Sequence, residues 1–149
     1  MSLKEQLFLA CRDFISKKRL VIENVISEIE TSLQSETKSS AGDKHETGRA
    51  MLQLEREKAG NQLAEIDKQE ELLSKIDISK ANTTVSLGSV VFTTEASYFL
   101  AIGVGEIIVD NRKFYAVSTK APISQALLGK RVDDNIVFRN RKFKIIHLI

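Results

Sequence analysis

A long stretch of helical hydrophobic periodicity, without glycine or proline, opens the chain and most constrains its fold. From Leu3 to Leu33 the apolar residues recur at intervals typical of a helix, and they form two neighbouring stripes. One stripe consists of Leu7, Cys11, Phe14, Val21 and Val25, and the other consists of Phe8, Ile15, Ile22, Ile26, Ile29 and Leu33. Together the stripes form a wide apolar face. This face predicts one long amphipathic helix that packs on a partner helix.

A second helical segment follows a short polar interruption. Residues 35–48 are small or polar, break the periodicity and predict a turn. Beyond them Leu52, Ala59, Ile66 and Leu73 fall seven residues apart, which predicts a second helix. Two helices of about thirty residues would form an antiparallel hairpin roughly 45 Å long, since a helix rises by about 1.5 Å per residue. From periodicity alone, a coiled coil that dimerises explains the pattern equally well.

After Ile76 the hydrophobic period changes from helical to alternating. Short runs rich in Val, Ile, Phe and Tyr are separated by Gly, Asn and Asp, as is typical of antiparallel strands. Asp110-Asn111 and Asn140-Arg141 are predicted to form hairpin turns. Within the same region, residues 122–129 predict one short helix, because proline suits the first helical turn and glycine suits the position after the last.

The predicted fold class is therefore α+β, with two domains. Residues 1–78 would form the helical hairpin, with its tip near residues 36–48. Residues 79–149 would form a small domain with a twisted antiparallel sheet and one short helix. Charge separates the two segments as well. The first has 12 Lys and Arg against 15 Asp and Glu, a net charge of −3, and the second has 10 against 5, a net charge of +5. We expect them to have different partners.

Composition excludes several kinds of protein. The sequence contains no run of eighteen apolar residues, so we expect no membrane-spanning helix and no membrane partner. Cys11 is the only cysteine, which excludes an internal disulfide and a cysteine-based zinc site, and a reducing, cytoplasmic location fits best. No Ser/His/Asp arrangement suggests nucleophilic catalysis.

Two motifs, at the hairpin turn and near the end of the chain, resemble those of one family. The first is Gly42-Asp43-Lys44-His45-Glu46-Thr47, and the second is Pro122-Ile123-x-x-Ala126-Leu127-Leu128-Gly129-Lys130-x-x-Asp133-Asp134. They are similar to the G-D-L-x-E-N-A-E-Y and S-P-I-x-x-A-L-L-G-K-x-x-G-D signatures of the Gre transcript-cleavage factors. The order of helix, acidic tip, helix and strand-rich domain agrees with that family as well. The sequence departs from the family at Lys44, Thr47, Arg49, Ala50 and Ala121.

The resemblance implies a bacterial transcription elongation factor. Its C-terminal domain would be FKBP-like and would bind RNA polymerase, and its hairpin tip would enter the secondary channel and stimulate cleavage of backtracked RNA. Asp43 and Glu46 would help to hold a Mg²⁺ ion shared with the polymerase, near the extruded RNA 3′ end. The polymerase-binding residues would be Pro122, Ile123, Leu127, Leu128, Gly129 and Lys130. Such a protein is not itself an enzyme, and it stimulates the polymerase's own RNA hydrolysis. It would act as a monomer, and in isolation it would bind no metal or other cofactor.

Several alternatives remain open from the residues. Asp43 followed three positions later by Glu46 is close to a capping box, which would only start a helix. Lys44, Arg49 and Ala50 favour a regulator or inhibitor that occupies the channel without stimulating cleavage. Fold analogy with prolyl isomerases makes an enzyme a third hypothesis. His45 could contact metal or phosphate, and the basic cluster Lys17-Lys18-Arg19 could contact RNA, although solvated side chains explain both more simply.

Overall fold

Two long helices account for most of the first half of the chain. The computed structural model describes residues 1–38 and 43–149, and the side chains of residues 1–36 and 46–149. Helix α1 spans Leu3–Lys38 and helix α2 spans Asp43–Ser74. The Ser2 hydroxyl accepts a hydrogen bond from the Glu5 backbone N–H at 3.1 Å, so that a polar side chain caps the start of α1.

The helices run antiparallel within the compact unit formed by residues 15–70. Residues later in α1 contact residues earlier in α2. Arg19 pairs with Glu70, and Glu30 pairs with Arg56 at 3.3 Å. The predicted hairpin is therefore confirmed, but the turn predicted over residues 35–48 was too long, because α1 continues to Lys38 and α2 already begins at Asp43. Its buried side chains in this unit come from the second stripe of α1 and the heptad positions of α2: Ile15, Ile29, Ala59 and Ile66.

The first apolar stripe of α1 is divided between two compact units, since residues up to 14 belong to one unit and residues 15–70 to the other. Leu7 and Cys11 are fully buried, whereas Val21 and Val25 remain 60% and 38% exposed. The apolar face is therefore wider than the surface that the partner helix covers.

Six strands and one short helix make up the strand-rich region. The strands are β1 (Val90–Thr93), β2 (Ser97–Ala101), β3 (Gly105–Val109), β4 (Arg112–Ser118), β5 (Asn135–Phe138) and β6 (Arg141–Leu148). Helix α3, Pro122–Leu127, lies between β4 and β5 in the chain. The strand order in the sheet is β3-β4-β2-β1-β6-β5. These elements confirm the α+β fold class, with one short helix in the strand-rich domain.

The sheet is mixed, whereas the sequence analysis predicted an antiparallel one. Strands β2 and β4 are parallel, with Tyr98 opposite Tyr115 and Ala101 opposite Ser118. The chain passes from β2 to the outer strand β3 and returns as β4 between them. The chain thus reverses direction twice, once between β2 and β3 and once between β3 and β4, so that β4 runs in the same direction as β2. Alternation reports which face of a strand is buried and does not report which strand lies beside it.

One of the two predicted hairpin turns is confirmed and the other is shifted. Asp110 and Asn111 both have positive φ, 51° and 62°, between β3 and β4, as a two-residue turn of this type requires. Between β5 and β6, Phe138 pairs with Arg141, so the turn residues are Arg139 and Asn140, at φ 48° and 64°. The prediction of Asn140-Arg141 was wrong by one position, because it gave the asparagine the first place in the turn.

The second compact unit contains residues 1–14 together with 71–149. Lys4 is buried, and its Nζ donates a hydrogen bond to the Lys80 carbonyl at 2.8 Å, which links the start of α1 to the segment after α2. The two units thus do not coincide with the segments 1–78 and 79–149, and the domain boundary near residue 78 stays a prediction. A cluster of buried side chains joins α3 to the sheet: Val85, Val91, Tyr98, Leu100, Leu127, Ile136, Phe143, Ile145 and Leu148. Across residues 1–38 and 43–149, no helix is long and apolar enough to cross a membrane.

Candidate functional site

The predicted acidic tip lies at the start of α2. The helix begins at Asp43, and Glu46 follows within its first turn with an exposed side chain. The side chains of Asp43, Lys44 and His45 lie outside the described residues. The assignment of Asp43 and Glu46 as metal ligands stays a prediction. Within residues 1–36 and 46–149, no group of three His, Cys, Asp or Glu side chains could hold a metal ion.

A third carboxylate, not predicted from the sequence, lies near this end of the hairpin. Oε1 of Glu36 lies 3.6 Å from the position that a Cβ would take on Gly48. The Glu36 carboxylate therefore lies beside Gly48 of α2, at a distance that a Cβ on residue 48 would also tolerate. Glu36 and Gly48 are equally distant from residue 42, and in an antiparallel hairpin such positions face each other. That symmetry was the signal available in the sequence.

The basic cluster on α1 separates into two kinds of residue. Lys17 and Lys18 are exposed. Arg19 instead turns toward α2, where its Nε and Nη2 donate to Oε1 and Oε2 of Glu70 at 2.8 and 2.9 Å, and Nη2 also pairs with Asp67. These hydrogen bonds, to Glu70 first and then to Asp67, raise the pKa of Arg19 above its usual range. Arg19 therefore links α1 to α2 through Glu70 and Asp67.

Helix α3, which carries the C-terminal motif, is fixed at both ends. It begins with Pro122, after the extended backbone of Ala121. The Ser124 hydroxyl and the Gln125 amide each donate to a backbone carbonyl of the preceding segment, at 2.6 Å. At the other end the Leu128 N–H donates to the Ser124 carbonyl at 2.8 Å, and Gly129 adopts φ 81°. The structure thus confirms both the proline start and the glycine end of this helix.

The six predicted polymerase-binding residues differ in exposure. Pro122, Gly129 and Lys130 are exposed, Ile123 and Leu128 are half-buried, and Leu127 is fully buried in the core. The backbone of this segment is held by Val85, whose carbonyl accepts from the Gly129 N–H and whose N–H donates to the Lys130 carbonyl, both at 2.9 Å. Leu127 therefore anchors α3 in the core and is not itself available at the surface. The polymerase-binding role of the set stays a prediction.

A cavity of about 440 Å³ opens beside the start of α3. Three aromatic side chains form part of its wall: Tyr98 of β2, Tyr115 of β4 and Phe138 of β5. The Tyr98 and Tyr115 ring centroids are 6.1 Å apart, because the two residues are opposite each other in the parallel pair. The rest of the apolar wall comes from Ala96, Val117, Pro122 and Ile123. The cavity and the C-terminal motif thus share the first two residues of α3.

Two arginines complete the cavity. Arg141 pairs with Glu95 at 3.4 Å, and the Arg139 guanidinium lies over the Phe138 ring, 5.0 Å from its centroid. Burial raises the pKa of Tyr98, and the nearby positive charge of Arg141 acts against this rise. A partly apolar cavity with cations at its edge suits a ligand that has an apolar part and an anionic part.

The sequence analysis missed Tyr98, Tyr115, Phe138, Arg139 and Arg141 as candidate site residues. They lie on β2, on β4 and on the β5–β6 hairpin, and only the folded sheet brings these three segments together. A weak signal was present in the β5–β6 turn, where an arginine occupies a position that asparagine, aspartate or glycine usually fills.

Comparisons with known proteins complete the description. No protein-family model and no curated protein matches the sequence. Among solved structures, the chain is similar to GreA factor homolog 1 (Gfh1) of Thermus thermophilus, with 19% identity and a TM-score of 0.37 over 92% of this chain and 93% of that one. A second structure, of the transcription factor Gfh1, gives 19% identity and a TM-score of 0.35, over 91% of each chain. A likeness of this size does not determine an activity.

Proposed function

We propose that this protein is a Gre-type transcription factor that binds RNA polymerase through its C-terminal domain and extends its hairpin tip into the secondary channel. There it would stimulate the polymerase's own cleavage of backtracked RNA, as a monomer in the cytoplasm. It would not itself be an enzyme. The observation that carries the proposal is the combination of the two motifs with the matching architecture. The tip motif opens α2 of an antiparallel hairpin, and the C-terminal motif forms the capped helix α3.

The geometry of α3 supports a docking role for its segment. Hydrogen bonds hold Ser124, Gln125 and Gly129 to neighbouring backbone, and Leu127 anchors the helix in the core. A surface that is already ordered loses little conformational entropy when it binds a partner. Pro122 and Lys130, at its two ends, are exposed for contact.

The tip supports a role that depends on the polymerase. Mg²⁺ in proteins typically takes one or two carboxylates and completes its shell with phosphates and waters. The exposed Glu46, together with Asp43, fits such a partial set of ligands and is too small a set to hold the ion alone. Mg²⁺ would supply charge stabilisation for hydrolysis when bound in the complex. The chain itself would contribute carboxylates at the start of the second helix of its hairpin.

A second candidate function is a channel-binding regulator that does not stimulate cleavage. Arg49 is exposed in the second turn of α2, three residues from Glu46 and on the same side of the helix. A cation in that position repels Mg²⁺ and favours this alternative.

The deciding experiment uses a stalled, backtracked elongation complex with labelled RNA. Addition of the protein should shorten the RNA from its 3′ end in a Mg²⁺-dependent reaction. If the protein binds the polymerase and competes with a known channel-binding factor but releases no RNA fragment, the regulator is correct. If it neither binds nor competes, both candidate functions fail.

A further inference from the structure

One face of the sheet carries a row of aromatic side chains that crosses four strands. Phe92 of β1 is opposite His147 of β6 on one side and opposite Ser97 of β2 on the other. The parallel pairing of β2 with β4 places Phe114 next to Ser97. Residues opposite each other share a face, and successive residues of a strand point to opposite faces. The row therefore lies on the side of the sheet away from the cavity, whose wall contains Tyr98, the residue after Ser97.

The rings of this row lie close together because the residue between two of them is small. Beside Ser97, the Phe92 and Phe114 rings meet edge to face, with their centroids 5.8 Å apart. The register of β1 with β6 shifts beside Phe92, and there the His147 ring centroid lies 5.2 Å from that of Phe92. Phe114 is fully buried, whereas Phe92 is half-buried and His147 is exposed. Phe92 and His147 therefore present aromatic surface to solvent.

Positive charges flank the aromatic row on the same face. The Arg112 guanidinium lies 5.9 Å from the ring centroid of Phe92 and 5.7 Å from that of Phe114. On β6, Lys142 and Lys144 are exposed, and they point away from the buried residue between them. The row thus has one cation on the β4 side and two on the β6 side.

Two of these three cations have no carboxylate partner. Among the described side chains, no ion pair involves Arg112 or Lys142, whereas Lys144 pairs with the exposed Asp133 at 3.7 Å. An exposed pair of this kind contributes little and leaves the lysine free to exchange its partner. The face therefore combines exposed rings with positive charge that is not neutralised within the protein.

This combination indicates an extended ligand that is both anionic and aromatic. Proteins that bind single-stranded nucleic acids typically combine cations along the path of the phosphates with aromatic side chains on which bases stack. The net charge of +5 over residues 79–149 favours a polyanion as well. An acidic peptide would satisfy the cations but would leave the exposed rings without a flat partner.

We propose that the sheet face around Phe92, His147 and Arg112 binds single-stranded nucleic acid. One base stacks on the Phe92 and His147 rings, and phosphates on its two sides pair with Arg112 and with Lys142. These contacts do not involve the sugar, so RNA and DNA strands bind alike. The surface contains no residue of the tip motif or of the C-terminal motif, and the inference does not rest on the proposed function.

The test measures the binding of fluorescein-labelled strands to the full-length protein by fluorescence anisotropy in about 50 mM salt. Decathymidylate should bind with a Kd below about 100 µM, and decauridylate should bind equally well. An abasic strand with the same number of phosphates should bind at least about fivefold more weakly, because it has no base to stack. Equal affinity for the strands with and without bases, or no saturation, would overturn the proposal.

Three variants separate stacking from charge. Phe92→Leu should weaken decathymidylate binding at least about fivefold and leave its salt dependence unchanged, because a stacking partner is lost and no charge is removed. Since Phe92 is half-buried, the exposed His147 provides a second test, and His147→Leu should also weaken binding. Arg112→Gln should make the slope of log affinity against log salt shallower by about 0.7, the value for one phosphate contact to a single strand.

The matched controls lie on the opposite face of the same sheet. Lys113→Gln removes the next cation along β4, and Phe138→Leu changes another half-buried phenylalanine. Both controls should bind decathymidylate with unchanged affinity, and melting temperatures show that each variant is folded. Equal losses in the controls and in the variants of Phe92, His147 and Arg112 would overturn the site.

Two further results distinguish this inference from its alternatives. If a hexaglutamate peptide displaces labelled decathymidylate as effectively as the unlabelled strand does, the face binds anions in general and the proposal is wrong. Polymerase-dependent RNA cleavage by a protein that binds no free strand would overturn this inference and leave the proposed function intact. Strand binding that depends on Phe92 and Arg112, without polymerase binding, would have the opposite meaning.

Discussion

The Arg19 guanidinium and the Glu70 carboxylate form two parallel hydrogen bonds between α1 and α2, Nε to Oε1 at 2.8 Å and Nη2 to Oε2 at 2.9 Å. Asp67 and Glu23 also pair with Arg19, so that one cation meets three carboxylates. Paired geometry and multiple partners distinguish this cluster from an isolated surface ion pair, which typically contributes little.

We expect Arg19→Met to lower the melting temperature. Methionine keeps the length of the side chain but leaves three acidic residues to repel one another. The loss should diminish as salt is added, because screening weakens both the attraction and the repulsion. Thermal unfolding followed by circular dichroism at low and high salt measures it. Lys68→Met, which removes an exposed cation of α2, serves as the control, and an equal loss there would contradict a specific role for Arg19.

Gly88→Ala should destabilise the protein by about 1–3 kcal/mol. Gly88 has φ 88°, and a Cβ added there would lie 2.9 Å from Cγ2 of Ile76. The alanine therefore meets both an unfavourable backbone conformation and a close contact. Urea denaturation gives the change in unfolding free energy. A second substitution, Ile76→Ala in the Gly88→Ala background, should not restore full stability, because it removes the contact and leaves the backbone cost.

Gly48→Ala should have the opposite effect. Gly48 lies inside α2, and its added Cβ would make an ordinary contact, 3.6 Å from Oε1 of Glu36. Glycine is worse than alanine within a helix by about 0.8–1.0 kcal/mol, so a stabilisation of roughly that size is expected. The same urea denaturation measures it. A loss of stability would mean that the Glu36 carboxylate needs the space beside Gly48.

Stability should fall in alkaline solution because of Cys11. Burial raises the pKa of the Cys11 thiol to about 12 from an ordinary value of 9.0. Above pH 9 the unfolded chain releases this proton and the folded chain retains it, so rising pH favours unfolding until about pH 12. Each pH unit in this interval removes at most about 1.4 kcal/mol. Urea denaturation at pH 8 and pH 10 should show a smaller decline for Cys11→Ala than for the unmodified protein, and equal declines would contradict the prediction.

Sequence signals that act over a few residues predicted the helices and strands well. They could not predict which strands pair in the sheet. Uninterrupted periodicity located α1 and α2, and Pro122 and Gly129 fixed the ends of α3, because each of these signals acts within a few residues. The parallel pairing of Tyr98 with Tyr115 joins residues seventeen positions apart, with β3 between them in the chain. Alternation in either strand cannot report such a partner. The cavity was therefore not predictable, although Pro122 and Ile123 on its edge were.

The candidate site at the tip shows the same division. A short motif singled out Asp43 and Glu46, whereas the approach of Glu36 to Gly48 depends on the register of the hairpin. Register follows from packing along the whole interface, including the cluster around Arg19. The motif therefore identified individual candidate residues. Which other side chains lie near them is determined by how the two helices pack.

The last prediction separates the chemical role of the tip from a structural one. Asparagine caps helices about as well as aspartate, so Asp43→Asn should leave the hairpin's stability nearly unchanged. It removes a formal charge and with it a good Mg²⁺ ligand. Asp43→Asn and Glu46→Gln should each suppress polymerase-dependent RNA cleavage strongly while polymerase binding persists. Glu57→Gln, which neutralises an exposed carboxylate further along α2, is the matched control and should cleave normally.

If Asp43 and Glu46 only cap the helix, cleavage should be unaffected and stability should change by at most about 1 kcal/mol. If the unmodified protein binds the polymerase but promotes no cleavage at any Mg²⁺ concentration, the cations Lys44 and Arg49 are the expected cause. They would repel the ion most strongly where the channel excludes water, because charges interact more strongly at low dielectric constant. The double substitution Lys44→Leu with Arg49→Glu should then produce measurable cleavage in the same assay. Failure to recover any cleavage, with polymerase binding intact, would show that these two cations are not what prevents it.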